Sequence, residues 1–213
     1  KETHEVFSRW VEAQTLQALR RQRPDLIAIG GIITQYKQIK EIAKLCKQLY
    51  PNVPLALGGG IASALPDFMA ARLPVDVVMQ GEGEITISEL LHRIETKTSL
   101  RGLQGVVYKE ITTGNEYEIV NNGWRSSAQR LHKGMDFLPW PMRSQWSVDD
   151  VYKRNPVGHL NWQTKWLNGK PAAPDQYSVS MIASRGCPYG AKACDYCFAT
   201  YLGKQYRLRS PQE

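Results

Sequence analysis

Several features that would place a protein in a class at once are missing from this sequence of 213 residues. It has no run of about 18 apolar residues and no signal-peptide core, so we expect a soluble, cytoplasmic protein without a transmembrane helix. It also has no internal repeat and no low-complexity tract. With 42% hydrophobic and 22% charged residues, the composition excludes a disordered, collagenous or coiled-coil chain. The length suits one ordinary domain and part of another.

Cysteine is scarce, and its placement is uneven. Three of the four cysteines, Cys187, Cys194 and Cys197, fall close together near the end of the chain. A disulfide framework does not cluster its cysteines in this way, so the spacing indicates a metal site. The fourth, Cys46, lies in the apolar stripe of a predicted helix, where we expect a small core residue without chemistry of its own.

The net charge of +7 is concentrated in the last third of the chain. Residues 151–213 carry nine Lys and Arg against three Asp and Glu, whereas residues 1–150 are nearly neutral. A local basic excess is compatible with a nucleic acid or an anionic ligand, and equally with a solvated surface that binds nothing.

Short apolar runs alternate with amphipathic segments over the first hundred residues. After a helix at 5–21, strands are predicted at 25–29, 53–57 and 75–79, with helices between and after them. This alternation is typical of βαβ units and a parallel sheet. The expected core comprises the strand residues Ile27, Ile29, Leu55, Leu57, Val77 and Met79 and the helix residues Ile42, Cys46, Leu49, Leu90 and Ile94. Three strands make a small sheet, so we expect further βα units before residue 1 and regard the chain as a fragment.

The pattern changes after residue 100. Residues 104–108 and 116–120 predict an antiparallel hairpin, and a strand at 177–183 leads into the cysteine loop. We expect a domain at 1–125, a connector rich in Pro and Trp at 126–176, and the start of a second domain at 177–213.

A glycine-rich segment follows each of the three predicted strands, at 30–34, 58–63 and 81–84. Ligands of open α/β sheets bind at the edge where the strands end, and glycine lets a ligand approach the backbone closely. None of the segments matches G-x-G-x-x-G, so a dinucleotide is not indicated; tight turns without a ligand are the alternative. The candidate ligand-binding residues are Gly30, Gly31, Thr34, Gly58, Gly59, Gly60, Ser63, Gly81, Glu82, Gly83 and Glu84.

The cysteine loop has the ligands for an iron–sulfur cluster. Three thiolates hold three irons of a 4Fe-4S cluster and leave the fourth iron open. A structural zinc site needs a fourth protein ligand, and the nearest upstream histidine, His159, has no zinc-ribbon spacing. A redox pair formed by Cys194 and Cys197 would leave Cys187 without a role.

The run Ser-Arg-Gly-Cys-Pro at 184–188, followed by Cys-Asp-Tyr-Cys-Phe at 194–198, resembles the cluster loop of radical S-adenosylmethionine (radical SAM) enzymes. Segments 24–31, 57–60, 75–84 and 138–141 resemble the cobalamin-binding domain that precedes the barrel in one large class of them. The resemblance extends from about residue 20 to the end. It implies an α/β fold with a Rossmann-like parallel sheet flanked by helices, then a connector and the first βα unit of a radical SAM partial TIM barrel.

The resemblance also implies cofactors and a reaction. A 4Fe-4S cluster on Cys187, Cys194 and Cys197 would reduce S-adenosyl-L-methionine to methionine and a 5′-deoxyadenosyl radical, with Tyr196 near the adenine. Cobalamin at the glycine segments would serve methyl transfer or another radical reaction at an unreactive carbon, with polar atoms of Thr34, Ser63 and Glu82 at its amide fringe. Gly59→Val is expected to weaken cobalamin binding by blocking its approach.

Two departures from the family pattern stand out. The family spacing is C-x-x-x-C-x-x-C, whereas this loop has six residues between its first two cysteines. No Asp-x-His-x-x-Gly motif occurs, so no histidine is assigned as an axial ligand to cobalt.

The expected partners are a small-molecule substrate rather than a nucleic acid, an electron donor such as flavodoxin or ferredoxin, and no membrane.

Two other functions stay open. The chain could be a non-catalytic cobalamin- or nucleotide-binding module whose cysteine loop is vestigial or holds zinc. The basic last third would also suit a protein that modifies nucleic acid.

Overall fold

The computed structural model describes residues 2–20, 23–112, 116–125, 134–142, 181–189, 192, 194, 196–197 and 206–211. The chain divides into two compact units, Lys1–Leu131 with Gly186–Gln205, and His132–Arg185 with Tyr206–Glu213. None of the helices in the described ranges is long and apolar enough to cross a membrane. Most of the predicted connector lies outside the described residues, and the predicted domain boundaries stay a prediction.

The first unit is built on a five-stranded sheet. Its strands follow one another in sequence order: β1 (Ile27–Gly30), β2 (Leu55–Gly58), β3 (Val77–Met79), β4 (Val106–Ile111) and β5 (Tyr117–Asn121). Strands β1 to β3 are parallel, whereas β4 is antiparallel to both β3 and β5. The Rossmann-like parallel sheet is therefore confirmed. The predicted hairpin is present too, and it extends this same sheet.

One helix precedes the sheet, and the others connect β1 to β2, β2 to β3 and β3 to β4. They are α1 (Glu2–Arg20), α2 (Tyr36–Leu49), α3 (Gly59–Ala64), α4 (Pro66–Arg72) and α5 (Gly83–Glu95), with a short 3-10 helix at Ile33–Gln35. Helix α4 has the features of a favourable start, with Pro66 in its first turn and Asp67 beside it. Helix α2 repeats its buried residues Ile39, Ala43 and Cys46 at helical spacing.

Each face of the sheet carries its own core. On one face, alternate strand residues pack against α2, α3 and α4: Ile27, Leu55, Leu57, Val78 and Val107. On the other face, the residues between them pack against Leu90 of α5 and the segment after it: Ala56, Val77, Val106 and Tyr108. Successive residues of a strand point to opposite faces, so the continuous apolar run of β2 is what a strand covered on both sides requires.

Most of the predicted core residues are buried, and the others are partly buried or exposed. Ile27, Leu55, Leu57, Val77, Cys46 and Leu90 are buried as expected. Ile29, Met79, Ile42 and Ile94 are only partly buried, and Leu49 is 38% exposed. Ile29 lies on an edge strand, Met79 ends β3, and Leu49 is the last residue of α2. At such positions no neighbouring helix or strand fully covers the side chain.

Residues 58–63 are not a loop, which corrects the sequence prediction. Gly58 is extended, and helix α3 begins at Gly59. Glycine disfavours helices, so the pattern predicted a turn. Tertiary contacts decide otherwise, because the Ile61 amide donates a hydrogen bond to the Gly31 carbonyl at 3.1 Å and the side chain of Ile61 is fully buried.

In the second unit, a short antiparallel pair joins β6 (Ser184–Arg185) to β7 (Arg207–Leu208). The predicted strand at 177–183 is wrong for residues 181–183, which precede β6, and its first four residues lie outside the described ranges. The Met135 amide donates to the Leu208 carbonyl at 3.0 Å. The Arg209 guanidinium lies 4.2 Å from the centre of the Trp140 ring.

Candidate functional site

The three glycine segments emerge side by side at one edge of the sheet. Strands β1, β2 and β3 are parallel, so their carboxyl ends lie together. Gly30 and Gly58 are register partners at these ends, and Gly81 follows β3 by two residues. We call the surface formed by residues 30–34, 58–63 and 81–84 the glycine edge.

The first two segments touch through their backbones. Gly59 has a φ of +81°, and a Cβ there would lie 2.9 Å from the Gly31 oxygen and 3.0 Å from the Gly31 nitrogen. A Cβ on Gly31 would lie 2.7 Å from Oε1 of Gln35, which accepts a hydrogen bond from the Ile32 amide at 3.1 Å. Gly59 is therefore required by the packing of the protein itself, whether or not a ligand binds, because it faces backbone atoms at a positive φ; at Gly31 the close atoms are the ends of flexible side chains, which can move.

The surface beside these glycines is apolar and open. Ile32 and Ile33 are both more than half exposed, and the neighbouring Thr34 is exposed as well. Adjacent exposed isoleucines offer apolar surface that a ligand could cover. Together with the glycines, they suit a broad, flat ligand that carries apolar groups.

The third segment is tied to the second by Ser63. Its hydroxyl accepts a hydrogen bond from the Gly81 amide at 2.9 Å and donates one to the Gly59 carbonyl at 3.2 Å. Ser63 is buried; its bond to Gly59 lies within α3, and its bond from Gly81 joins the second and third segments. Glu82 stands at the start of α5 and Glu84 in its first turn. A Cβ on Gly83 would meet nothing within 4 Å.

A hydrogen-bond network behind β3 runs from the buried Gln80 to the exposed Asn121 and Asp67. Gln80 is only 2% exposed, and its Nε2 donates to Oδ1 of Asn121 at 3.1 Å. The Asn121 Nδ2 in turn donates to both carboxylate oxygens of Asp67, at 3.0 and 2.9 Å. Oε1 of Gln80 has no hydrogen-bond partner among the described atoms. The sequence prediction missed this network, because its only local signal is a polar residue directly after an apolar strand.

Arg125 fixes the segment that leaves β5. It is buried, and its guanidinium pairs with both carboxylate oxygens of Glu89, at 3.3 and 2.5 Å. Its Nε and Nη2 also donate to Oγ1 of Thr86 and to the Gln104 carbonyl. Such a bidentate pair between a guanidinium and a carboxylate fixes both the orientation and the position of the Arg125 side chain. No sequence motif pointed to it.

The cysteine loop contains no disulfide. None of the four cysteines is disulfide-bonded; Cys187 and Cys197 are partly buried and Cys194 is exposed. The Cys197 amide donates to the Cys194 carbonyl at 3.0 Å, which closes a turn. In the described ranges, no three His, Cys, Asp or Glu residues are gathered closely enough to hold a metal ion. By donor chemistry the three thiols fit an iron–sulfur cluster, and their role as ligands stays a prediction. Tyr196 is almost fully exposed.

Cys46 is separate from this chemistry. It is 1% exposed among the core residues of α2, and burial raises the pKa of its thiol. Its predicted role as a core residue agrees with that burial.

Residues 3–91 match the family model described as the B12 binding domain. An uncharacterised methyltransferase of Pyrococcus horikoshii is 27% identical over 195 residues, 90% of this chain and 35% of that protein. The cobalamin-dependent radical SAM methyltransferase TokK of Streptomyces tokunonensis is 27% identical over 182 residues, 83% of this chain and 23% of that protein. The chain thus spans about a third or less of the length of these relatives.

A solved structure has the same fold. It is the radical SAM methyltransferase TsrM of Kitasatospora setae with cobalamin and a [4Fe-4S] cluster bound. The TM-score is 0.61 over 93% of this chain and 36% of that one, at 15% sequence identity. The resemblance that the glycine and cysteine motifs indicate is confirmed by these matches.

Proposed function

We propose that this chain, a member of the cobalamin-binding-domain class of radical SAM enzymes, binds cobalamin at the glycine edge and a 4Fe-4S cluster on Cys187, Cys194 and Cys197. It would do so as part of an enzyme that transfers a methyl group, or performs another radical reaction, at an unreactive carbon. One observation carries the proposal. A sheet edge built from three adjacent glycine segments is followed, in the same chain, by a loop with three cysteines that form no disulfide.

The glycine edge would hold a corrin through its shape. Gly30, Gly31 and Gly58 keep side chains away from the ends of β1 and β2, while Ile32 and Ile33 offer apolar surface beside them. Because the hydroxyl of Ser63 already joins two protein segments, we assign it to positioning these segments rather than to ligand contact. Thr34, Glu82 and Glu84 remain as the polar candidates at the rim.

The cysteine loop would supply three thiolate ligands and leave one iron for S-adenosylmethionine. When bound, the cluster supplies the electron that cleaves S-adenosylmethionine, and cobalamin carries the methyl group. The part of this chain is to hold both cofactors and to position them. Tyr196, between the last two cysteines, has an exposed ring that could cover the adenine.

Anaerobic reconstitution with iron and sulfide tests the cluster. In the full-length natural protein we expect an oxygen-sensitive 4Fe-4S cluster, seen by Mössbauer and EPR spectroscopy, that is lost when Cys187, Cys194 and Cys197 are all replaced by Ala. Cys46→Ala is the matched control, because Cys46 is buried in the sheet core, and it should leave the iron content unchanged. Equal iron in the wild type and the triple variant would refute the assignment.

A non-catalytic cobalamin module is the second candidate. It is favoured by the six-residue spacing between Cys187 and Cys194. Such a module would bind hydroxocobalamin and no 4Fe-4S cluster. Titration with hydroxocobalamin, followed in the visible spectrum, and iron analysis of the same sample distinguish the two candidates.

A further inference from the structure

The chain returns to the glycine edge after β5. Strand β4 is antiparallel to both of its neighbours, so β5 runs in the direction of β3 and ends at the same edge. The hydrogen bond between Gln80 and Asn121, the last residue of β5, joins the two strand ends directly. Residues 122–125 therefore start beside the third glycine segment.

Trp124 lies against that segment. A Cβ built on Gly81 would be 3.1 Å from Cζ3 and 3.2 Å from Cε3 of the indole. The six-membered ring thus occupies the space that any side chain at position 81 would need. Trp124 is nevertheless 36% exposed. The six-membered ring is seated on the glycine segment, and about a third of the residue remains open to solvent.

The backbone around Trp124 is held on both sides. The amide of Gly123 donates to Oδ1 of Asn121 at 2.9 Å, and the carbonyl of Gly123 accepts from the Gly105 amide at 2.8 Å. On the other side, Arg125 is clamped to Glu89 of α5. An aromatic side chain on such a fixed backbone loses little further conformational freedom when a ligand packs on it.

We infer that Trp124 is a cobalamin-contact residue, whose open indole surface packs against the corrin and closes the glycine edge on the side of β3. This inference rests on the proposed function. The physical reason is that a large, flat, partly apolar ligand gains most from a rigid aromatic surface, which also brings a polar N–H to an amide-rich rim. Ile32 and Ile33 would provide the apolar surface on the side of β1.

Three substitutions of Trp124 test the inference in the full-length natural protein. Hydroxocobalamin is titrated and binding is read from the visible spectrum. We expect Trp124→Ala to weaken binding about tenfold, a loss of about 1.4 kcal/mol, whereas Trp124→Phe should retain an affinity within about threefold of the wild type. Trp124→Leu covers Gly81 without an aromatic face and should resemble Trp124→Ala. Tyr117→Ala is the control, because Tyr117 is an exposed aromatic residue at the other end of β5.

The outcomes separate the inference from the proposed function. If the wild type binds cobalamin and Trp124→Ala binds as tightly, the contact is refuted and the proposed function stands. Restored affinity in Trp124→Leu would also overturn the inference, since the indole would then serve only to cover Gly81. If the wild type itself does not bind, both are wrong. Urea unfolding of each variant shows whether a weaker affinity comes from a damaged fold instead, which would count against a direct contact.

Discussion

Gly59→Ala adds a single methyl group at the closest backbone contact of the glycine edge. The new Cβ would lie 2.9 Å from the Gly31 oxygen and 3.0 Å from the Gly31 nitrogen. These are backbone atoms, which cannot rotate away as a flexible side chain can. The substitution must therefore move one chain segment relative to the other.

The expected loss of stability has two sources. A residue with a Cβ at a φ of +81° costs about 1–2 kcal/mol relative to glycine, and overpacking by one methyl group costs about 1–3 kcal/mol. Gly59→Ala should therefore lower the free energy of unfolding by about 2–5 kcal/mol. It acts on the Gly31 segment, because the new group points at Gly31 and not into open space. This changes the reason first given for Gly59→Val, which was direct obstruction of the ligand.

Urea unfolding followed by circular dichroism measures the effect, and Gly83→Ala is the matched control. Gly83 begins α5 and has nothing within 4 Å of its Cβ position. Alanine there should cost nothing and could add about 0.5–1 kcal/mol. If Gly59→Ala unfolds at the same urea concentration as the wild type, or if both variants lose the same stability, the described contact between Gly31 and Gly59 is wrong.

Two further outcomes follow from burial. Leu57→Ala removes a fully buried side chain from the central part of the sheet and should lower the free energy of unfolding by about 2–5 kcal/mol. Leu91→Ala, at a half-exposed position of α5, should change it by about 0.5 kcal/mol or less. Equal losses of stability in thermal unfolding would contradict the described burial of Leu57. Cys46 is buried and its thiol pKa is raised, so a short pulse of iodoacetamide at pH 8 should alkylate Cys194 and spare Cys46 until the protein is unfolded. Peptide mass spectrometry checks this, and rapid labelling of Cys46 in the native protein would show that α2 is not packed as described.

The order of strands and helices could be read from the sequence because its causes are local. Apolar runs bounded by Pro and Gly placed β1, β2 and β3 to within two residues, and Pro66 marked the start of α4. The parallel arrangement follows from the helices between the strands. That the hairpin joins the same sheet was not predictable, because the pairing of β3 with β4 depends on contacts across the whole α5 segment.

The site was predicted in outline only. Strand ends and glycines mark the edge locally, but its other members come from distant parts of the chain. Gln80 meets Asn121, which meets Asp67, and Trp124 meets Gly81. No periodicity or spacing links such residues, since only the folded sheet brings them together.

The antiparallel course of β4 has a consequence for what the chain can do after β5. A strand of five residues spans about 17 Å, so a sheet without this reversal would release the chain that far from the glycine edge. Instead, the chain leaves the sheet at Asn121, next to Gln80. The segment that leads on to the cysteine loop therefore starts from the edge at which we propose that cobalamin binds. If both proposed cofactors bind, one chain carries them, so their encounter is intramolecular, and the length and stiffness of the segment between the two sites set its effective concentration.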